Sequence, residues 1–180
     1  MPDVLLVAAT ERELDGREGL VCGVGPVEAA IATAAALASH RWDAVLQIGV
    51  AGGRGLGTGT LVIGSEAVYC DLAAAITLVD RVSGDVVLVA AAREALPDAL
   101  VLPIGTSAAL GGLGSMLRVE AMEGFGVLRA AALAGVPAVE IRAISNEIGE
   151  ADRSLWKIDE AIAALSGAMP AVVASVSTAR

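Results

Sequence analysis

Apolar residues along the chain fall into short unbroken runs that alternate with segments of helical spacing. Val4–Ala8 (VLLVA) and residues 20–24, 44–50, 61–69 and 138–144 are continuous apolar runs, several rich in β-branched side chains. Strands buried on both faces of a sheet have this character. Weaker runs at 76–79 and 100–104 predict two further strands. Between the runs, residues 27–39 and 86–96, and the segment carrying Val127, Leu128, Ala131 and Leu133, predict helices. Gly25-Pro26 turns the chain into the first of these. Gly135 closes the last, and Pro137 blocks its extension. Residues 108–116 are glycine-rich and predict irregular chain.

Residues 161–179 carry no charge and approach the length of a membrane-spanning helix. Polar and small residues interrupt the run, and Ile162, Leu165, Met169, Val172, Val173 and Val176 make one helical face. The expectation is a packed helix containing Pro170, not a membrane span. Alternating strands and helices then predict a three-layer α/β/α architecture with a central mixed, mostly parallel sheet. One domain is expected over residues 1–180, with no internal repeat and no linker.

Composition narrows the picture. Hydrophobic residues make up 56% of the chain and aromatic ones only 2%, so the core is aliphatic and alanine-rich. The apolar surplus for this size predicts a homo-oligomer in which a second subunit covers part of it. A net charge of −9 argues against nucleic acid as a partner. Cys22 and Cys70 are too few for a disulfide framework and fit reduced thiols in a cytoplasmic protein. The N-terminus has no basic leader. His40 beside Arg41 reads as a charge at a helix C-terminus, so no metal is expected. The string GVGPVEAA lacks the third glycine of a dinucleotide fingerprint, having Glu28 there, so no cofactor is expected either.

Candidate chemistry gathers at the carboxyl ends of the predicted strands, where open α/β sheets bind ligands. Glu11 and Glu13 follow the first strand, and Gly49, Ala51, Gly52 and Gly53 end the third. Thr106 and Ser107 follow residues 100–104, Met122-Glu123 opens a helix, and Ser145-Asn146 ends the strand at 138–144. Taken alone, the carboxylates equally suit helix N-terminal charges, the glycines a flexible loop, and residues 120–156 an ordinary βαβ unit.

The strings AMEG, GVP, RAISN and DRSLW, with GVAGG after the third strand and Asp71 after Tyr69, resemble the purine nucleosidase/nucleoside phosphorylase family. Within it they are most similar to the futalosine hydrolases. The resemblance implies a catalytic general base at Glu13 and a ribose clamp at Glu123, with Met122 packed under the sugar. It places Asn146 at the departing purine, where adenine-cleaving relatives carry Asp. Ala51, Gly52, Thr106, Ser107 and Trp156 become substrate contacts, and Asp71 lines a loop toward a partner subunit. Phosphorylases carry Arg and Ser where this chain has Gln47 and Val50, which favours water over phosphate as nucleophile. The implied activity is hydrolysis of a 6-oxopurine nucleoside, futalosine to hypoxanthine and dehypoxanthine futalosine, in menaquinone biosynthesis. A methylthioadenosine/adenosylhomocysteine-type adenine nucleosidase is the alternative, opposed by Asn146. A non-catalytic nucleoside-binding homologue is suggested by shortened segments after Glu13 and around 80–86 and 108–118, and opposed by the pair Glu13 and Glu123.

Overall fold

The computed structural model describes residues 2–72, 76–110 and 115–179. The first strand, β1 (Val4–Ala8), shows why the fold has layers on both faces of its sheet. Its alternate residues Leu5 and Val7 enter one hydrophobic cluster, while Leu6 and Ala8 enter another. The first cluster also holds Val127 and Leu128 of α4 (Gly124–Ala134) and Ala29 of α2 (Pro26–Ser39). The second holds Leu88 and Ala92 of α3 (Val86–Ala95) and Leu165, Met169 and Val172 of α5 (Ile158–Thr178). The expected three layers follow from this two-sided burial.

The sheet runs in the order β2-β1-β3-β7-β6-β4-β5, and β8 pairs with both β3 and β4. Here β2 is Leu20–Val21, β3 Ala44–Gly53, β4 Leu61–Tyr69, β5 Arg81–Ser83, β6 Leu100–Thr106, β7 Val119–Ala121 and β8 Ala138–Glu147. Strands β3, β8, β4, β6 and β7 therefore form a closed ring of pairings, so the centre of the sheet curls into a barrel-like unit. Pairings of β1 with β2 and β3, of β3 with β8 and of β6 with β4 and β7 are parallel. Those of β3 with β7 and of β4 with β5 and β8 are antiparallel. Where β8 meets β3 the register shifts: Ala51 faces Ile144 but Gly52 faces Asn146, leaving Ser145 as the extra residue of a bulge. Such bulges re-aim side chains at the end of a strand.

Some boundaries differ from the sequence expectations. Residues 76–79 form no strand; the hairpin partner of β4 is β5, where Arg81 also pairs with Glu66 at 3.3 Å. The strand expected at 20–24 stops at Val21, because Gly23 and Gly25 take positive φ values of 81° and 101°. Ser145 and Asn146 lie within β8, which continues to Glu147. Residues 111–114, inside the stretch expected to be irregular, lie outside the described residues. Helix α5 has the length and apolar composition of a membrane span. Its Ile162, Leu165, Met169, Val172 and Val176 are nonetheless buried, and most join the cluster under the sheet.

Candidate active site

The chain leaves β1 through Thr10, which caps the short helix α1 (Glu11–Leu14). Thr10 Oγ1 accepts from the Glu13 amide, and Glu13 Oε2 in return accepts from the Thr10 amide at 3.1 Å and its hydroxyl at 3.0 Å. This capping box turns the Glu13 side chain back over the strand end. There its Oε1 accepts from the Val50 amide at 3.0 Å, and the residue is only 7% exposed. Glu11, one turn position earlier, is exposed. Glu13 is thus a helix-start carboxylate and a buried group on the site at once.

Glu123 sits at the start of α4, with Oε1 accepting from the Gly25 amide at 3.2 Å and Oε2 from Arg142 Nη2 at 3.1 Å. Arg142 is fully buried on β8. Its Nε donates to Glu140 Oε1 at 2.8 Å and its Nη1 to the Val50 carbonyl at 3.3 Å. One guanidinium therefore ties together Glu140, Glu123 and the end of β3. Gly49 makes room for this: a Cβ there would collide with Arg142 Nη1 and Glu13 Oε1. Burial alone would lower the Arg142 pKa, but Glu140, then Glu123 and Glu13, outweigh it and hold it above its ordinary value. Burial raises the Glu140 carboxyl above its usual range, against the opposing pull of Arg142. The Cys22 thiol is pushed up to about 12 by burial and by the charge of Glu123.

Glu13 and Glu123 face a cavity of about 380 Å³ at the carboxyl ends of β1, β3 and β8, with Arg142 and Glu140 behind its lining. Glu13, Met122, Glu123 and Asn146 line it, as expected from the sequence. Ala51, Gly52, Ser107 and Trp156 line it too. Thr106 does not: its Oγ1 accepts from the Phe125 amide at 2.8 Å and so fixes the first turn of α4. Asp71 works behind the wall. It accepts from Ser107 Oγ at 3.1 Å and from the Ala108 amide, holding the loop after β6. Val50 lines the cavity, whereas Gln47 is buried away from it. The Asn146 amide has Oδ1 2.7 Å from Ser145 Oγ and Nδ2 3.0 Å from the Glu147 carbonyl. Trp156 is anchored through Nε1 to the Glu150 carbonyl at 3.1 Å, with Arg153 over its ring. The cavity's other arginine, Arg12, pairs with Asp159 at the rim.

The sequence does not single out Thr10, Arg142 with its partner Glu140, or Glu120, which lines the cavity from β7, nor the rim arginines Arg12 and Arg153. Thr10 with Glu13 three positions on is a capping-box spacing. Arg142 and Glu140 are charges inside an apolar strand, and a buried strand tolerates those only when they are paired. Among the described residues, no group of three or more His, Cys, Asp or Glu side chains is placed to hold a metal ion.

The chain belongs to the phosphorylase superfamily, whose sequence pattern matches residues 19–112. Within that class it is a nucleosidase and a homologue of the futalosine hydrolases. It is 38% identical to the futalosine hydrolase of Streptomyces coelicolor over 182 residues, covering 86% of this chain and 77% of that protein. The fold matches a 5′-methylthioadenosine/S-adenosylhomocysteine nucleosidase from Colwellia psychrerythraea solved with adenine, at a TM-score of 0.85 and 19% identity. That match covers 97% of this chain and 96% of the other. A futalosine hydrolase mutant from Helicobacter pylori matches with a TM-score of 0.85 and 15% identity, over 97% and 99% of the two chains. At these identities the structural likeness is one of fold.

Proposed function

We propose that this chain hydrolyses the N-glycosidic bond of a 6-oxopurine nucleoside, converting futalosine to hypoxanthine and dehypoxanthine futalosine in menaquinone biosynthesis. The observation that carries this reading is the convergence of Glu13 and Glu123 on one cavity, each held by bonds to both of its oxygens. Glu13 takes a proton from water, whose oxygen bonds to the anomeric carbon. The carbon–nitrogen bond breaks and its electron pair leaves with the purine. Glu123 accepts from the ribose hydroxyls, and its charge stabilises the oxocarbenium-like sugar. Met122 packs beneath the ribose, and Asn146 meets the purine edge through its amide. Ala51, Gly52, Ser107 and Trp156 complete the walls, while Thr106 supports α4 from behind.

Water rather than phosphate suits the site. The two cavity arginines are engaged with Asp159 and Trp156, and Val50 offers no hydroxyl. Asn146 also favours this reading over an adenine nucleosidase, since a carboxylate there would match the 6-amino group better. One nucleosidase domain spans residues 1–180 and works in the cytoplasm without a cofactor. A homo-oligomer is supported by Val24, Val27 and Ile31, which are 54%, 63% and 63% exposed on one side of the α2 start, with Val24 reaching the cavity.

The test is incubation with futalosine, inosine and methylthioadenosine, followed by chromatography of the released base. Hypoxanthine from futalosine is expected. Adenine from methylthioadenosine, with no hypoxanthine from the other two, would refute the proposal.

A further inference from the structure

We infer that Glu140 is a positioning residue for the proposed reaction. Seated under the first turn of α4 in the gap left by Gly124, it sets the Arg142 guanidinium that holds Glu123. The inference rests on the role proposed above for Glu123 at the ribose. Glu140 and Arg142 are both fully buried on β8, and among the described residues Arg142 is the cation paired with Glu140. A guanidinium is planar and its donors keep a fixed fork. Once Nε is bonded to Glu140 Oε1 at 2.8 Å, the plane is set, and with it the directions of Nη1 and Nη2. Nη2 then meets Glu123 Oε2 at 3.1 Å and Nη1 the Val50 carbonyl at 3.3 Å. Glu140 is not part of the cavity wall, so it acts through Arg142 rather than on substrate.

Gly124 shows that the seat is shaped for this carboxyl. The residue follows Glu123 and opens α4. Its φ is not in the left-handed region, and alanine is the better helix former, so backbone conformation does not account for a glycine here. A Cβ at this position would collide with both oxygens and the carboxyl carbon of Glu140. Glycine therefore admits a buried carboxyl beneath the start of a helix, where the positive end of the dipole favours it. Glu140 Oε2, which has no hydrogen-bond partner, lies against this turn. Beside it in the sheet, a Cβ at Gly64 of β4 would stand 3.3 Å from Glu140 Cβ, so the side chain is closely packed at its base as well. Glu140 thus reaches Glu123 by two routes. One runs through the side chain of Arg142, the other through the backbone at Gly124.

The experiment measures kcat/KM on the nucleoside whose base the wild type releases and on its 2′,3′-dideoxy form. The variants are Glu140→Val, Glu140→Gln, Gly124→Ala and the double Gly124→Ala/Glu140→Val, with circular dichroism to confirm folding. Glu140→Val removes the acceptor for Nε and should lower kcat/KM on the ribonucleoside about tenfold to a hundredfold. The factor should be smaller on the dideoxy substrate, which no longer offers Glu123 its hydroxyls; a merely structural role would lower both alike. Glu140→Gln keeps an oxygen for Nε and should recover most of the loss. Gly124→Ala should also lower kcat/KM, and it gives an answer even where Glu140→Val fails to fold. The double variant should fall no further than the worse of its parents, because the added methyl and the missing carboxyl act on one contact. The role is overturned, with the proposed function left standing, by any of three results. These are a loss within about threefold in Glu140→Val or Gly124→Ala, equal factors on both substrates, or losses that multiply in the double variant. A wild type that releases no purine from futalosine, inosine or methylthioadenosine overturns the proposed function and this role with it.

Discussion

Replacing Arg142 with Met would test whether the centre of the site is held by one guanidinium. The change removes the donors to Glu123 Oε2 and Glu140 Oε1 while keeping much of the side-chain volume. Both carboxylates are buried, at 4% and 0% exposure, and would be left facing each other without a cation. Removing one partner of a buried pair costs about 3–5 kcal/mol, because the other charge stays desolvated. For a chain of this length that corresponds to a fall in Tm of roughly 6–20 °C. Urea unfolding followed by circular dichroism would measure it. The pH dependence gives a second signature. Glu140 already has a folded pKa above its ordinary 4.5, so its folded form binds more protons than the unfolded chain just above that value. Stability from this group is present at low pH and lost as pH rises through the folded value. Without Arg142 the folded value rises further, so the deficit of Arg142→Met should shrink as pH falls from about 7 to about 5. Adding Glu140→Leu to Arg142→Met removes one stranded charge and should restore part of the stability. A loss below about 1 kcal/mol, or a double variant no more stable than the single one, would refute the reasoning.

Four further outcomes are expected. Glu13→Gln should lower kcat roughly 10²–10⁴-fold while leaving substrate binding in place, as measured by single-turnover kinetics and calorimetry. Glu123→Ala should weaken both KM and kcat for a ribonucleoside, and a 2′,3′-dideoxy nucleoside should lose less from the substitution than the ribonucleoside does, because only the hydroxyl contacts are already gone. Asn146→Asp should move selectivity from inosine toward adenosine compounds and steepen the pH dependence, read from side-by-side kinetics. Cys22, with its pKa near 12, should resist a thiol reagent at neutral pH until urea unfolds the chain. Because its folded value lies above the unfolded 9.0, its contribution to stability should fall as pH rises from 9.0 toward 12.

Much of the layering was legible because it depends on local pattern. The run Val4–Ala8, the turn at Gly25-Pro26 and the end of α4 at Gly135 each follow from the chemistry of a few adjacent residues. The curl of the sheet was not legible. It arises because β8 pairs with both β3 and β4, a long-range choice that no local spacing encodes. The strand expected at 76–79 fails for a similar reason. The segment is apolar enough, but the pairing that counts joins Glu66, Ala67 and Val68 to Arg81, Val82 and Ser83, where Arg81 also meets Glu66. At the site, residues named from strand ends converged well, since strand ends are where side chains leave the sheet. Thr106 is the exception, because its hydroxyl faces α4 and accepts from the Phe125 amide, while Ser107 one residue later faces the cavity.

What the sequence hid most was the role of charges inside strands. Glu140 and Arg142 alternate on one side of β8, a pattern that on a surface strand would mean only solvent contact. Burial changes its meaning: a guanidinium at that depth must be shared, and here it joins Glu140, Glu123 and the carbonyl of Val50. The same position holds the two proposed working carboxylates in fixed relation, Glu123 through Nη2 and Glu13 through the Val50 amide that follows Gly49. On the proposed mechanism this matters when positive charge develops on the sugar. Carboxylates that already have bonded partners need little rearrangement to face it, which is the condition under which fixed charge stabilises a transition state. Asn146 cannot supply a proton to the departing base, so the barrier must be lowered from the sugar side and by hydrogen bonds to the purine edge. A site with rigidly held carboxylates and an uncharged amide at the base is consistent with that division of work.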